Sequence, residues 1–301
     1  MGDRFVSTTS AGGQSALEGE PVHGSPLRRF LGRRVIPRII LVIMCLVYFI
    51  PFYWMVVTAL KSPHEMTVFP PHVWPHLIAW KNFVDAVNYM PFFRFFLNSV
   101  IITAGMTFGA VISNPIIAYG FSRIEWPGRD VLFYIAVATL FIPFPVVMVA
   151  LFDIFSKLHW VNTYLPLIVP TFFGQAFYLF LVRQFLMGLP KELSDAATMD
   201  GASEFQVFLR VIIPLAKPAI AVVAIFAAVN AWNEFLTPLI YLSSEHTYPL
   251  AIGLQFFRQT HNVAFNLLMA ASTMVVVPVI ILFLLFQRFF VEGVTLGSVK
   301  G

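Results

Sequence analysis

Charge is scarce in this 301-residue chain. Asp, Glu, Lys and Arg make up 11% of it, where a soluble domain carries about 25%. Hydrophobic residues make up 58%, and mean hydropathy is +0.80. The shortage excludes an ordinary soluble domain and leaves an integral membrane protein. Cysteine is scarcer still: Cys45 stands alone, inside an apolar run. That excludes an intrachain disulfide or a thiolate metal site, and Cys45 reads as a small buried apolar residue. No Gly-x-x-x-x-Gly-Lys-Ser/Thr run occurs, so the chain has no P-loop to cradle ATP phosphates. No nucleophile–base or acid pair stands at catalytic spacing, which argues against a membrane-embedded enzyme. His72 and His76 are four residues apart, but Pro75 breaks any helix there and no Asp, Glu or Cys joins them, so no metal site is expected.

Long apolar runs are what the chain has instead. A spanning helix needs about 20 mostly apolar residues, and six such runs occur, at about 36–60, 93–120, 131–152, 163–187, 207–232 and 267–290. Several carry proline (Pro51, Pro115, Pro143, Pro145, Pro166, Pro170 and Pro278), which kinks a helix and is tolerated where neighbours satisfy the freed backbone. Gly105 and Gly109 form a Gly-x-x-x-Gly in the second run, a sign of close helix packing.

With the N-terminus placed inside, fourteen of the 19 Lys and Arg residues fall in inside segments. The bias puts both termini and residues 188–206 in the cytoplasm. The basic patches then read as topology signals and lipid head-group contacts, not as nucleic-acid sites. Residues 1–35 read as a disordered cytoplasmic tail, rich in Gly and Ser at its start. Domain organisation is therefore this tail followed by one all-α transmembrane domain, 36–301. Residues 61–92 read as a proline-fixed external loop, and 241–262 as a polar external link.

The most patterned polar stretch is the loop between the fourth and fifth runs. Pro190 suits the first turn of a helix, and Glu192 and Asp195 put negative charge near its N-terminus. Ala196, Ala197 and Met199 favour helix, and Gly201 can take the left-handed conformation that ends one. Ser203 with Gln206 fits a capping box for a second helix, along which Phe205, Phe208, Leu209 and Ile212 recur at helical spacing. The spacing predicts helix, tight turn, and a helix entering the membrane at Pro214. The small face of Ala196, Ala197 and Ala202 would allow close approach by a partner surface; a helix merely lying on the membrane is the alternative.

Asp195-Ala196-Ala197, Asp200-Gly201-Ala202 and Pro214-Leu215 resemble the EAA loop of ABC importer permeases. The likeness runs over residues 36–301. It includes Leu60-Lys61-Ser62, Phe96-Leu97-Asn98-Ser99, Ala118-Tyr119-Gly120-Phe121-Ser122-Arg123, Val161-Asn162-Thr163-Tyr164 and Ala231-Trp232-Asn233-Glu234-Phe235, and it closes on Gln287 to Gly301. The chain thus looks like a carbohydrate-type, maltose-transporter-like permease. Where the family usually has Glu, Asp195 keeps the charge on a shorter arm.

The resemblance implies a six-span bundle of the type I ABC importer kind, in the plasma (inner) membrane of a prokaryote. It implies a second permease subunit, an ABC ATPase dimer that handles ATP and Mg, and an extracytoplasmic solute-binding protein; this chain would bind no cofactor itself. Glu192, Asp195, Ala196, Ala197, Met199, Asp200, Gly201, Ala202, Phe205 and Pro214 would couple to the ATPase, and the tail around 293–301 would touch it. The cargo would be a di- or oligosaccharide, with a monosaccharide or glycerol 3-phosphate as the runners-up in that class. An ion-coupled secondary transporter is the alternative outside it, but its inverted repeats and buried carboxylates are not evident.

Intramembrane polar groups are the candidates for a translocation path: Asn98, Asn114, Gln175, Asn230 and Asn233. Helix-to-helix hydrogen bonding is the other reading for each. Glu234 is an intramembrane candidate too, with a structural role in turning the chain near the outer end of the fifth run as the equal reading, and Arg183 reads as a boundary residue at a span end.

Overall fold

The computed structural model describes residues 35–258 and 264–298. The expected N-terminal tail therefore lies almost wholly outside the described residues, as does the extreme C-terminus. Two compact units divide at Phe52 and Tyr53. The first contributes the start of α1 (Ile36–Ala59), a continuous helix across Pro51. Cys45 is exposed there, which corrects its reading as a buried residue: a helix of this apolarity presents side chains all round.

In the second unit the elements are helical throughout. They are α2 (Lys81–Tyr89), α3 (Phe92–Ser122), α4 (Arg129–Ala138), α5 (Phe144–Lys157), α6 (Leu165–Ile168), α7 (Ala176–Met187), α8 (Glu192–Met199), α9 (Glu204–Val207), α10 (Ile213–Asn233), α11 (Leu236–Tyr241), α12 (Leu250–Gly253) and α13 (Phe265–Ser298). Among the described residues five helices or helix runs are long and apolar enough to span, and the sixth expected run is bent. Arg129–Phe141 and Phe144–Lys157 meet at 102°, so the apolar stretch 131–152 is not one straight span. Pro143 and Pro145 lie at this break; residues before proline disfavour helical backbone, and Ile142 is extended with ψ 111°.

The long α3 is the spine, packed mainly against α10 and α7, while α10 also packs on α13. At 31 residues and 1.5 Å per residue, α3 is about 46 Å long, more than the roughly 30 Å of a hydrocarbon core. Gly105 and Gly109 do mark close packing, against Ile168 at the end of α6 and against Thr171 and Phe172 just beyond it. A Cβ on Gly109 would lie 2.1 Å from Thr171 Oγ1. One core cluster joins Tyr119, Phe133, Leu186, Phe208 and Ile212 at the end of the bundle that carries residues 188–206. Another joins Phe92, Phe95, Trp232, Leu250 and Phe257 at the opposite end. There Asn82 ties α2 to neighbouring elements, donating to Ala59 O and Lys61 O, each at 2.8 Å, and accepting from Asn266.

Candidate functional site

Residues 188–206 fold as helix, turn, helix. Glu192 and Asp195 occupy the first turn of α8, where carboxylates favour the helix dipole. Gly201 ends the segment at φ +85°, a conformation that strains any residue with a Cβ. Ser203 N–H then donates to Gln206 Oε1 at 2.9 Å, and Gln206 N–H to Ser203 Oγ at 3.4 Å, the reciprocal capping box. A π-helical turn over Phe208–Ile212 follows, with Ile213 N–H reaching Phe208 O. Pro214 comes next, in the first turn of α10, where a missing N–H costs little.

Glu192, Asp195, Ala196, Met199, Asp200, Gly201, Phe205 and Pro214 are exposed. Met199 is 88% and Phe205 68% exposed. Large apolar side chains held in the open on an ordered, carboxylate-bearing turn suit contact with a partner protein or with the membrane surface. Ala197 and Ala202 differ: both are half-buried and pack against the Tyr119–Leu186–Phe208 cluster. Of the expected small face, only Ala196 is left open to a partner; the other two are small because their own core lies beneath them.

Residues that sequence reasoning missed hold this loop. Arg123, at the end of α3, donates from Nη2 to Leu186 O at 2.6 Å and Leu189 O at 2.8 Å, and from Nη1 to Pro190 O at 3.4 Å. Burial pulls its pKa below the ordinary value, while Tyr119 and Asp195 act in the opposite sense. Tyr119 O–H donates to Glu204 Oε2 at 2.7 Å. The spine thus grips both limbs of the loop, one through Arg123 and the other through Tyr119. Arg183, four residues from the end of α7, is buried there: it pairs with Asp130 at 2.8 Å, donates to Phe121 O at 3.0 Å and lies 4.0 Å over the Phe133 ring. The signal was in Ala118–Arg123, noted for its resemblance and not for its donors.

The five polar path candidates separate. Asn98 is buried and donates to His246 O and Tyr248 O, both at 2.9 Å. It pins α3 to the segment before α12. Asn114 donates to Ala110 O at 2.8 Å and accepts Gln175 N–H at 2.9 Å, securing the break before α7. Asn233 is exposed and donates to Val229 O of its own helix. Only Gln175 and Asn230 come together, in a cavity of about 340 Å³ that also meets Tyr178 and Glu234. Glu234 does turn the chain, accepting from Thr237 N–H at 3.0 Å and Thr237 O–H at 2.9 Å, yet it lines the cavity as well.

Residues 105–295 match the family described as binding-protein-dependent transport system inner membrane component. The chain is 31% identical to the arabinooligosaccharides transport system permease protein AraQ of Bacillus subtilis, over 89% of this chain and 96% of that one. It is 30% identical to the trehalose/maltose transport system permease protein MalG of Thermococcus litoralis, over 89% and 98%. A solved bacterial ABC transporter that imports the acidic polysaccharide alginate has the same fold, with TM-score 0.76 and 23% identity over 89% of this chain and 99% of that one. A grasped, exposed helix–turn–helix on an all-helical membrane bundle is thus found in a chain that belongs to the inner-membrane component family of binding-protein-dependent transport systems.

Proposed function

We propose that this chain is the permease subunit of an ATP-driven importer that carries a di- or oligosaccharide across the plasma membrane. The observation that carries the reading is the loop 190–214: an ordered, exposed helix–turn–helix gripped by α3, in a chain that belongs to a binding-protein-dependent transport family. Sugar cargo is supported by the names of two relatives, the arabinooligosaccharide and trehalose/maltose permeases.

In this reading residues 188–206 and both termini face the cytoplasm, as the distribution of Lys and Arg favours. An ABC ATPase dimer, holding ATP and Mg, grips Met199, Phe205 and the carboxylates around them. Closure of that dimer pulls on the loop, and Arg123 and Tyr119 pass the displacement to α3. A solute-binding protein delivers sugar at the opposite face, near residues 243–262, and a second permease subunit completes the path. The chain itself performs no hydrolysis.

Tagged purification in mild detergent, with mass spectrometry of the co-purifying chains, tests this. Recovery of an ATPase, a second permease and a solute-binding protein is expected. Recovery of this chain alone, active in liposomes without ATP, would overturn it.

A further inference from the structure

We propose that the cavity formed by Gln175, Tyr178, Asn230 and Glu234 is a sugar-binding site within this subunit, accepting uncharged, hydroxyl-rich ligands and rejecting those that carry carboxylate or phosphate. The inference rests on the sugar-import reading and adds where the permease holds its cargo and which charge it admits.

The volume, about 340 Å³, lies in the range of ligand-holding pockets, about 300–1,000 Å³. The cavity sits beside a break in a membrane-spanning run, between the 3-10 turn ending at Phe173 and the start of α7. Irregular backbone at such depth is tolerated where it lines a cavity.

Its polar groups are left with capacity to spare. Tyr178 is buried, and its hydroxyl accepts from Asn230 Nδ2 at 3.0 Å, so its own proton remains to be donated. The same bond leaves Asn230 Oδ1 as an acceptor. The Gln175 backbone N–H is taken by Asn114, but its side-chain amide has no partner among the described residues. Glu234 uses Oε1 for Thr237 and leaves Oε2 open. Donors and acceptors in alternation suit a polyol, each of whose hydroxyls does both. Phe177, half exposed on the same wall, can face the apolar C–H side of a sugar ring.

Charge sets the selectivity. Among the described residues, Glu234 is the one charged residue on the cavity wall. A carboxylate accepts strongly from neutral hydroxyls and repels another anion across a poorly screened interior. The N-terminus of α7 contributes a partial positive end of about half a charge, which offsets a full negative charge without reversing it. The neighbouring groove of Val100, Phe108, Val111, Trp232 and Pro278, where Thr103 and Thr107 are the polar side chains, has no amide, phenol or carboxylate among the described residues and serves as a control position.

The test uses the complete transporter in proteoliposomes, with Cys45→Ser removing the one native thiol. Arabinotriose, maltose and diacetylchitobiose are first ranked by ATP-dependent uptake, alongside digalacturonate. Gln175→Cys and, separately, Val111→Cys are then labelled with a small water-soluble maleimide. The imported neutral sugar is expected to slow labelling at 175 and not at 111, and digalacturonate to protect neither. Glu234→Gln should raise the half-protecting concentration about tenfold, and Tyr178→Phe, which keeps the ring, should raise it about threefold. Uptake without protection at 175, or equal protection at both positions, would overturn the site and leave the import reading intact. Protection by digalacturonate equal to that by the neutral sugar would overturn the charge selectivity. Failure of every sugar to enter would remove the import reading and this site with it.

Discussion

Gly201 shows how much one residue can decide. Its φ of +85° turns the chain between α8 and α9, and no neighbouring atom lies where a Cβ would go, so the demand is conformational and not spatial. Gly201→Ala should cost about 1 kcal/mol of local stability and lower sugar imported per ATP. Gly201→Pro should uncouple hydrolysis from uptake while the chain still reaches the membrane. Parallel uptake and ATPase assays read both, and wild-type uptake from the proline variant would remove the loop from the mechanism. Glu65 illustrates a different residue effect, in the loop after α1. His76 N–H at 2.8 Å and Ser62 N–H at 2.9 Å hold its carboxylate, and these bonds lower its pKa below the ordinary value. A lowered folded-state pKa contributes stability that is complete above the unfolded value of about 4.3 and is lost as pH falls through the folded one. Protease resistance of residues 61–80 should therefore hold as pH falls through about 4 and decline only at lower pH, and Glu65→Gln should abolish that acid-induced decline.

Between elements, the contact of α3 with the loop is the one to probe. Tyr119 to Glu204 and Arg123 to three carbonyls join the spine to both limbs. Tyr119→Phe and Glu204→Ala each remove the one hydrogen bond between them, while Arg123→Ala leaves carbonyls without donors, at about 1–3 kcal/mol for each buried group. The two single variants at 119 and 204 should reduce uptake per ATP to a similar degree, and the double variant should be no worse than either. Additive losses in the cycle would mean that the hydroxyl–carboxylate bond transmits nothing. Arg183 with Asp130 and Phe133 ties α7 to α4 near the same end, so the gripped loop rests on a braced group of helices.

At the scale of the whole molecule, the proposed function requires one face to meet an ATPase. Met199 is the better reporter, being 88% exposed, whereas Ala197 is half-buried against the core. In a Cys45→Ser background, Met199→Cys should cross-link to the ATPase and Leu250→Cys should not. The reverse pattern would invert the membrane orientation.

Composition and local pattern by themselves determined the membrane class, the apolar runs and the helix–turn–helix of 188–206. These depend on interactions within a few residues: apolar length, a glycine at a left-handed turn, and Ser203 with Gln206 three residues apart. The family likeness was legible in the same loop. Tertiary structure alone decided the 102° bend, the inward turn of Ala197 and Ala202, and the burial of Arg183. It also decided which polar residues share a cavity. Asn98, Asn114, Gln175, Asn230 and Asn233 look alike along the chain, but their partners lie as far as 150 residues away. Only packing tells an amide already satisfied by backbone from one left open to a ligand, because hydrogen-bond capacity is spent in space and not in sequence.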